Sequence, residues 1–329
     1  MTTRAFAWLI GCASVLAMLA GLSAGSEGWS LAWDSEAELI RAIRAPRSLS
    51  AWMAGALLGM AGALAQGLFR NPLADPYLLG SAAGAGLGVV MVHFVASIGV
   101  AGGAFGGLSW LAQLSLTGAA FIGALLGVML TLLLAGGAAR PLVLLLGGVV
   151  VGVLLGAIAD LLMLLAPEAL RGKQVFLLGT TGLLGWRSVI VLTAGLFIAL
   201  PIAIRFAGVL DALVLGESSA ASLGLDLPRL RLILVVLMAF CTGTAVSQAG
   251  LIAFVGLVAP HLVRRLASVT HGPLLFLSAL TGGVLLLVAD VAARSVIAPG
   301  ELPVGVLTAV VGGIYLMVLL RRGAVRGHV

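Results

Sequence analysis

The sequence predicts an all-α polytopic membrane protein of about ten transmembrane helices, and three observations predict it. Of its 329 residues, 61% are apolar and only 9% are charged. Soluble domains average about 45–50% apolar and about 25% charged. The mean hydropathy is +1.22. Apolar runs of span length recur along the chain, parted by charged or Gly/Pro-rich breaks. This composition excludes a soluble enzyme, a nucleic-acid binder and a disordered chain, and leaves no length for a large soluble domain.

The spans are read in order at 5–24, 48–69, 77–98, 109–136, 141–166, 187–206, 229–248, 250–267, 274–296 and 303–320. The first contains Leu9-Ile10-Gly11-Cys12, which looks like a lipoprotein cleavage box behind Arg4. A cleaved signal would carry a longer apolar core before the Cys and a polar tether after it. Here the apolar run continues through Val15, Leu16 and Leu19, so the segment reads as a membrane helix. Cys12 and Cys241 both lie in apolar runs and read as small buried hydrophobes.

The second span follows a connection over 25–47 with Glu27, Asp34, Glu36 and Glu38, then Arg41, Arg44 and Arg47. Between the second and third spans lies Arg70-Asn71-Pro72-Leu73-Ala74-Asp75-Pro76. Two readings fit it. It is a turn, because Pro stops helices and Asn and Asp cap them. Or it is irregular backbone lining a pathway, the one place a membrane tolerates such backbone.

Asp160, in the fifth span, has no charged neighbour in its own run. Between the sixth and seventh spans, 207–228 carries Asp211, Glu217 and Asp226, with Leu213, Ala220, Ala221 and Leu223 at helical spacing broken by Gly216 and Gly224. That pattern predicts two short helices around a glycine turn, forming an exposed knob. The break near Gln248 and Gly250 bears no charge. His261 lacks companion ligands for a metal and reads as a helix-end hydrogen-bonding residue. In the ninth span, Asp290 and Arg294 stand four residues apart, which predicts a structural ion pair. The 46 glycines, several in pairs four apart, predict close helix packing.

An even number of spans puts both termini on one side. With that side cytoplasmic, Arg4, Arg70, Arg140, Arg205, Arg229, Arg231, Arg264, Arg265, Arg321, Arg322 and Arg326 fall inside. Arg41, Arg44, Arg47, Arg171, Lys173, Arg187 and Arg294 fall outside. The inside excess sets this orientation. The crowded outer arginines before the second span are the anomaly.

Catalytic motifs are missing. Lys173, the one lysine, is followed by Gln174, so there is no phosphate-binding Gly-Lys-[Ser/Thr] loop, and no His-Glu-x-x-His occurs. No catalytic residue, metal site or cofactor is therefore assigned to this chain, and an ATP-driven engine would belong to another subunit. A proton-coupled secondary transporter using Asp160 and Asp290 is the alternative.

Five blocks, in this order and spacing, carry a family resemblance. They are Arg44-Ala45-Pro46-Arg47, the stretch 66–76 with its Asn-Pro-Leu-Ala-Asp-Pro, and Leu215-Gly216-Glu217 through Leu223-Gly224-Leu225. The stretch 250–261 running on to Arg264 is the fourth, and Asp290 through Arg294 with Glu301-Leu302-Pro303-Val304-Gly305 the last. The chain resembles the permease subunits of FecCD/BtuC-type importers of the ABC class, which carry ferric siderophores, haem or cobalamin.

The resemblance implies one permease domain over 1–329, two copies around the path, two ATPase subunits holding ATP and Mg, a periplasmic binding protein and the bacterial inner membrane. It further implies that Arg44, Arg47 and Arg294 receive glutamates of the binding protein. Gly216, Glu217, Ala221, Leu223 and Gly224 would engage the ATPase through cytoplasmic coupling helices within 207–228. Asn71 and Leu73 would narrow the cytoplasmic end of the path, and 25–47 would be a periplasmic loop. Many relatives carry Trp and Met where this chain reads Val175-Phe176-Leu177-Leu178-Gly179-Thr180-Thr181-Gly182, so the cargo does not transfer.

Overall fold

The apolar runs fold as helices because a bilayer offers no water to unpaired backbone groups, and an α-helix satisfies its own. The computed structural model describes residues 2–25, 28–31, 33–97 and 109–325. Glu27, residue 98, Arg326 and the side chain of Arg322 lie outside the described residues.

The first helix, α1 (Thr3–Ser23), leads into a two-stranded antiparallel pair, β1 (Ala24–Gly25) and β2 (Gly28–Trp29). A short α2 (Ala37–Leu39) runs through a π-helical turn, Ile40–Arg44, into α3 (Ala45–Leu68). The second span therefore starts well before residue 48, and Arg44 and Arg47 sit on continuous helix. Next come α4 (Ser81–Ser97), α5 (Ser109–Leu134), α6 (Pro141–Leu165) and the ten-residue α7 (Ala169–Leu178), which the span reading did not contain. The remainder is α8 (Trp186–Val214), α9 (Glu217–Ser222), α10 (Leu227–Ala249), α11 (Val255–Leu266), α12 (His271–Ser295) and α13 (Val304–Val325).

Among the described residues seven helices are long and apolar enough to cross a bilayer, and Ser81–Ser97 and Val304–Leu319 are shorter apolar helices. The expected eighth span is corrected. Only the 12 residues of α11 are helical there, and at ~1.5 Å per residue they cover roughly 18 Å of a ~30 Å hydrocarbon core. Its missing part, 250–254, is irregular backbone, with positive φ at Gly250 and Phe254. Leu251 N donates to Phe176 O (2.8 Å), Ile252 O accepts from Tyr77 OH (3.2 Å), and Ala249 O, just before the break, accepts from Thr180 N (2.9 Å). Neighbouring chain thus supplies the partners that lipid cannot.

The centre of the bundle is α3, buried almost throughout from Pro46 to Leu68, with α8, α10, α11 and α12 around it. Its run of Ala and Gly explains the position, since small residues let helix backbones touch. A Cβ on Gly62 would run into the carbonyl oxygen of Gly256, and Gly59 meets Ser278 of α12 in the same way. The outer surface is apolar, with Leu133, Leu146 and Leu164 all exposed. Cys12 belongs to that outer surface and is exposed, whereas Cys241 is buried as expected.

Candidate functional site

At one end of the bundle the sequence-expected docking arginines converge, but inward. Arg44, Arg47 and Arg294 are 6%, 6% and 2% exposed, contrary to the expectation of outward guanidinium groups. Asp290 is fully buried between them. Arg47 Nε donates to Asp290 Oδ1 (3.0 Å) and its Nη1 to Glu301 Oε2 (2.9 Å). Arg294 Nη2 pairs with Asp290 Oδ2 and donates to Ser48 Oγ (3.2 Å), while its Nη1 reaches the carbonyls of Gly21 (3.1 Å) and Ala24 (3.2 Å). The Thr181 hydroxyl donates to Asp290 Oδ1, and Arg44 Nη1 pairs with Glu36 Oε2 (2.8 Å).

Three cations and three anions balance, which is the condition under which buried charge is tolerated. The expected Asp290–Arg294 pair is present, and Arg47, Glu301 and Thr181 enlarge it into a network. Glu36 and Glu301 are its more accessible members. They border a cavity of 360 Å³ beneath β1–β2, together with Trp29 and Ile43. Asp160, expected without a neighbour in its own run, pairs with Lys173 Nζ of α7 at 2.5 Å.

At the opposite end, α3 stops with Arg70 in the left-handed region (φ 50). Asn71 N donates to Gln66 O (3.2 Å) and Arg70 N to Gly67 O (3.3 Å), which closes the helix through a paired C-terminal turn. The Asn71 side chain accepts from Leu73 N (2.9 Å), and Asp75 caps the next turn at Tyr77 N (2.8 Å). Burial pushes the Asp75 carboxyl above its usual range, and the Tyr77 N–H opposes that rise. This is the capped-turn geometry, with Asn71 and Leu73 exposed at the bundle end.

Beside that turn stands the knob. Residues 207–214 continue α8 rather than forming a separate short helix, so one small helix, α9, replaces the two expected. Gly216 (φ 103) and Gly224 (φ 74) bracket it. Ala220 anchors it to the bundle while Ala221, Leu223 and Gly224 are exposed. Glu217 Oε1 accepts from Arg231 Nη2 (2.6 Å) and lies 3.8 Å from Arg70 Nη2. Arg231 in turn donates to Ala139 O (2.7 Å). One carboxylate thus ties α9 to the turn after α3 and to the α5–α6 connection. Arg231 was not singled out in the sequence, where it is one arginine among many.

Gln66, inside the second block, donates to Leu257 O (3.1 Å) and accepts from Arg264. His261 sets its ring edge-on to Tyr315 at 5.9 Å, in place of the helix-end bond expected of it. Among the described residues no cluster of His, Cys, Asp or Glu could hold a metal ion.

The family model of the FecCD transport family matches residues 6–322. A cobalamin import system permease protein of Halobacterium salinarum is 35% identical over 88% of this chain and 74% of its own. The iron(III) dicitrate transport system permease protein FecD of Escherichia coli is 37% identical, covering 85% of this chain and 84% of its own. A hemin transport system permease protein of Yersinia pestis is 36% identical, over 85% and 82%. A solved structure described as an inward-facing conformation of a metal-chelate type ABC transporter aligns with a TM-score of 0.84 and 26% identity, over 97% of this chain and 99% of that one.

Proposed function

The chain belongs to the FecCD transport family, and from that premise we propose that it is the membrane permease subunit of a binding-protein-dependent ABC importer for a bulky metal chelate. Iron-siderophore, haem and cobalamin are the cargo classes, by analogy with what its relatives are named for. In this reading two copies enclose the path in the inner membrane, both termini cytoplasmic. Two separate subunits bind ATP and Mg and hydrolyse it, and a periplasmic protein delivers the chelate.

The observation that carries the reading is α9. It is a small helix at the bundle end, bracketed by two glycines of positive φ, seated by Ala220 with Ala221 and Leu223 exposed, and wired by Glu217 to the turn that carries Asn71 and Leu73. A rigid projection of this kind suits a cleft in a partner, and its link to the turn gives ATP-driven motion a route to the proposed gate. Docking of the binding protein falls to the opposite end. Its carboxylates would reach Arg44 and Arg47 by exchange with Glu36 and Glu301, the more accessible anions of the network, while Arg294 backs them from its buried pair with Asp290. A binding-protein affinity indifferent to salt would remove the arginines from that role.

The proton-coupled alternative has nothing in its favour. Asp290 is held by two guanidinium groups and Asp160 by Lys173, an arrangement of structural ion pairs. Purification in mild detergent with stoichiometry by mass spectrometry tests the main reading. Two copies with two ATPase chains are expected, and a chain recovered only with itself would overturn it.

A further inference from the structure

A cleft outside both clusters separates α5, α8 and α10. It encloses 470 Å³ and is open along one side. Its chemistry changes along its length. At the end where α8 begins, Arg187, Ser247 and Gln248 face it, and deeper in it is walled by Ile190, Ile198 and Phe240. Phe240 stacks edge-on with Phe121 at 6.0 Å to make the back wall.

The polar end lies at an interface. Arg187 is the second residue of α8, beside Trp186, whose Nε1 donates to Arg41 O (3.0 Å) and whose ring is half exposed. Tryptophan at a helix end in this setting marks headgroup depth. Arg187 is exposed and, among the described residues, forms no ion pair, unlike Lys173 or Arg231. Gly185 gives α8 no side-chain cap, so the first-turn N–H groups add positive potential at the same place.

The dimensions then identify the occupant. From Arg187 to Ile198 the helix rises roughly 17 Å, at ~1.5 Å per residue. One leaflet of a ~30 Å hydrocarbon core is about 15 Å deep. A cationic mouth over an apolar slot one leaflet deep fits a lipid. Among the described residues no acidic side chain lines the cleft, so an ammonium headgroup finds no partner there.

We propose that this cleft binds an anionic phospholipid of the surrounding bilayer. Its phosphodiester lies on Arg187 and Gln248, and one acyl chain runs down the slot past Ile190 to Ile198. The site goes beyond the transport reading and depends only on the chain being in a bilayer.

Native mass spectrometry of the full chain in its purified assembly tests it. The assembly is first equilibrated with equal amounts of phosphatidylglycerol and phosphatidylethanolamine of matched acyl length. The wild type should keep one phosphatidylglycerol per chain in preference to phosphatidylethanolamine. Arg187→Gln should cut that retention by about tenfold, the equivalent of one charge-assisted contact. Ala194→Phe, which fills the slot without touching the charge, should release both lipids. Elution volume and thermal midpoint establish that each variant is folded. Equal retention of the two lipids by the wild type, or undiminished phosphatidylglycerol on Arg187→Gln, would overturn the proposal. Either is also the result expected if a second copy of the chain or the cargo fills the cleft. Because the readout is bound lipid, it stands apart from any outcome on ATPase partners.

Discussion

Asp290 shows how a single residue was half legible. Its pairing with Arg294 follows from four-residue spacing on one helix, which needs no tertiary knowledge. Its bonds to Arg47 and Thr181 join positions 243 and 109 residues away, and no local pattern encodes such distances. The partner of Asp160 was hidden for the same reason, because Lys173 sits on a helix that the apolar runs did not reveal. Removing one member of a buried ion network leaves uncompensated charge, so Asp290→Asn should destabilise by about 3–5 kcal/mol. Glu301→Gln, on the partly exposed rim, should cost no more than about 1 kcal/mol. Thermal unfolding of both variants in the same detergent checks the contrast, and equal losses would mean the network is not cooperative around Asp290.

At the level of elements, length rules found most helices and missed their joints. Gly216 and Gly224 marked the ends of the one small helix of the knob, but α8 was cut short at residue 206 because the charged stretch 207–228 was taken whole as a connection. In the structure Asp211 accepts from His271 N (3.0 Å) and its ring Nδ1 (2.7 Å), which ties the extension of α8 to the start of α12. The span expected over 250–267 failed for the opposite reason. Its first half, 250–259, carries no polar side chain, and only tertiary hydrogen bonds such as that from Leu251 N to Phe176 O reveal the non-helical break. The glycine joint before α9 gives a sharp expectation. Gly216 sits at φ 103, ψ 159, where any other residue costs about 1–3 kcal/mol, so Gly216→Ala should loosen α9 while leaving the membrane helices intact. Faster amide exchange confined to 215–225 is the expected signature, together with reduced stimulation of the proposed ATPase partner. Unchanged exchange and stimulation would deny α9 the coupling role.

Across the whole molecule, composition was the most reliable guide. It gave a membrane-embedded, helical, glycine-packed chain before any element was placed. The central position of α3 was not legible, because a run of Ala and Gly looks equally suited to any helix interface. The contacts show where that smallness is used. Gly62→Val would push a side chain into the Gly256 backbone and force α3 from α11, and overpacking of this kind typically costs about 1–3 kcal/mol. Gly152→Ala, on α6 with open space beside it, should be neutral. Melting temperatures and yields of the two variants separate these cases, and a tolerated Gly62→Val would show that the α3–α11 contact can breathe.

Charged groups fasten α3 at both extremities. Arg47 is locked into the network of Asp290 and Glu301, and Arg70, just past the other terminus, lies beside Glu217 of α9. Between them the helix is gripped along its length by the backbones of α11 and α12, which leaves it little freedom to bend or slide. Such an element behaves as a push-rod roughly 36 Å long, at ~1.5 Å for each of its 24 residues. A force that reaches this rod at one tip is carried to the arginine network at the other, rather than absorbed by bending along the way.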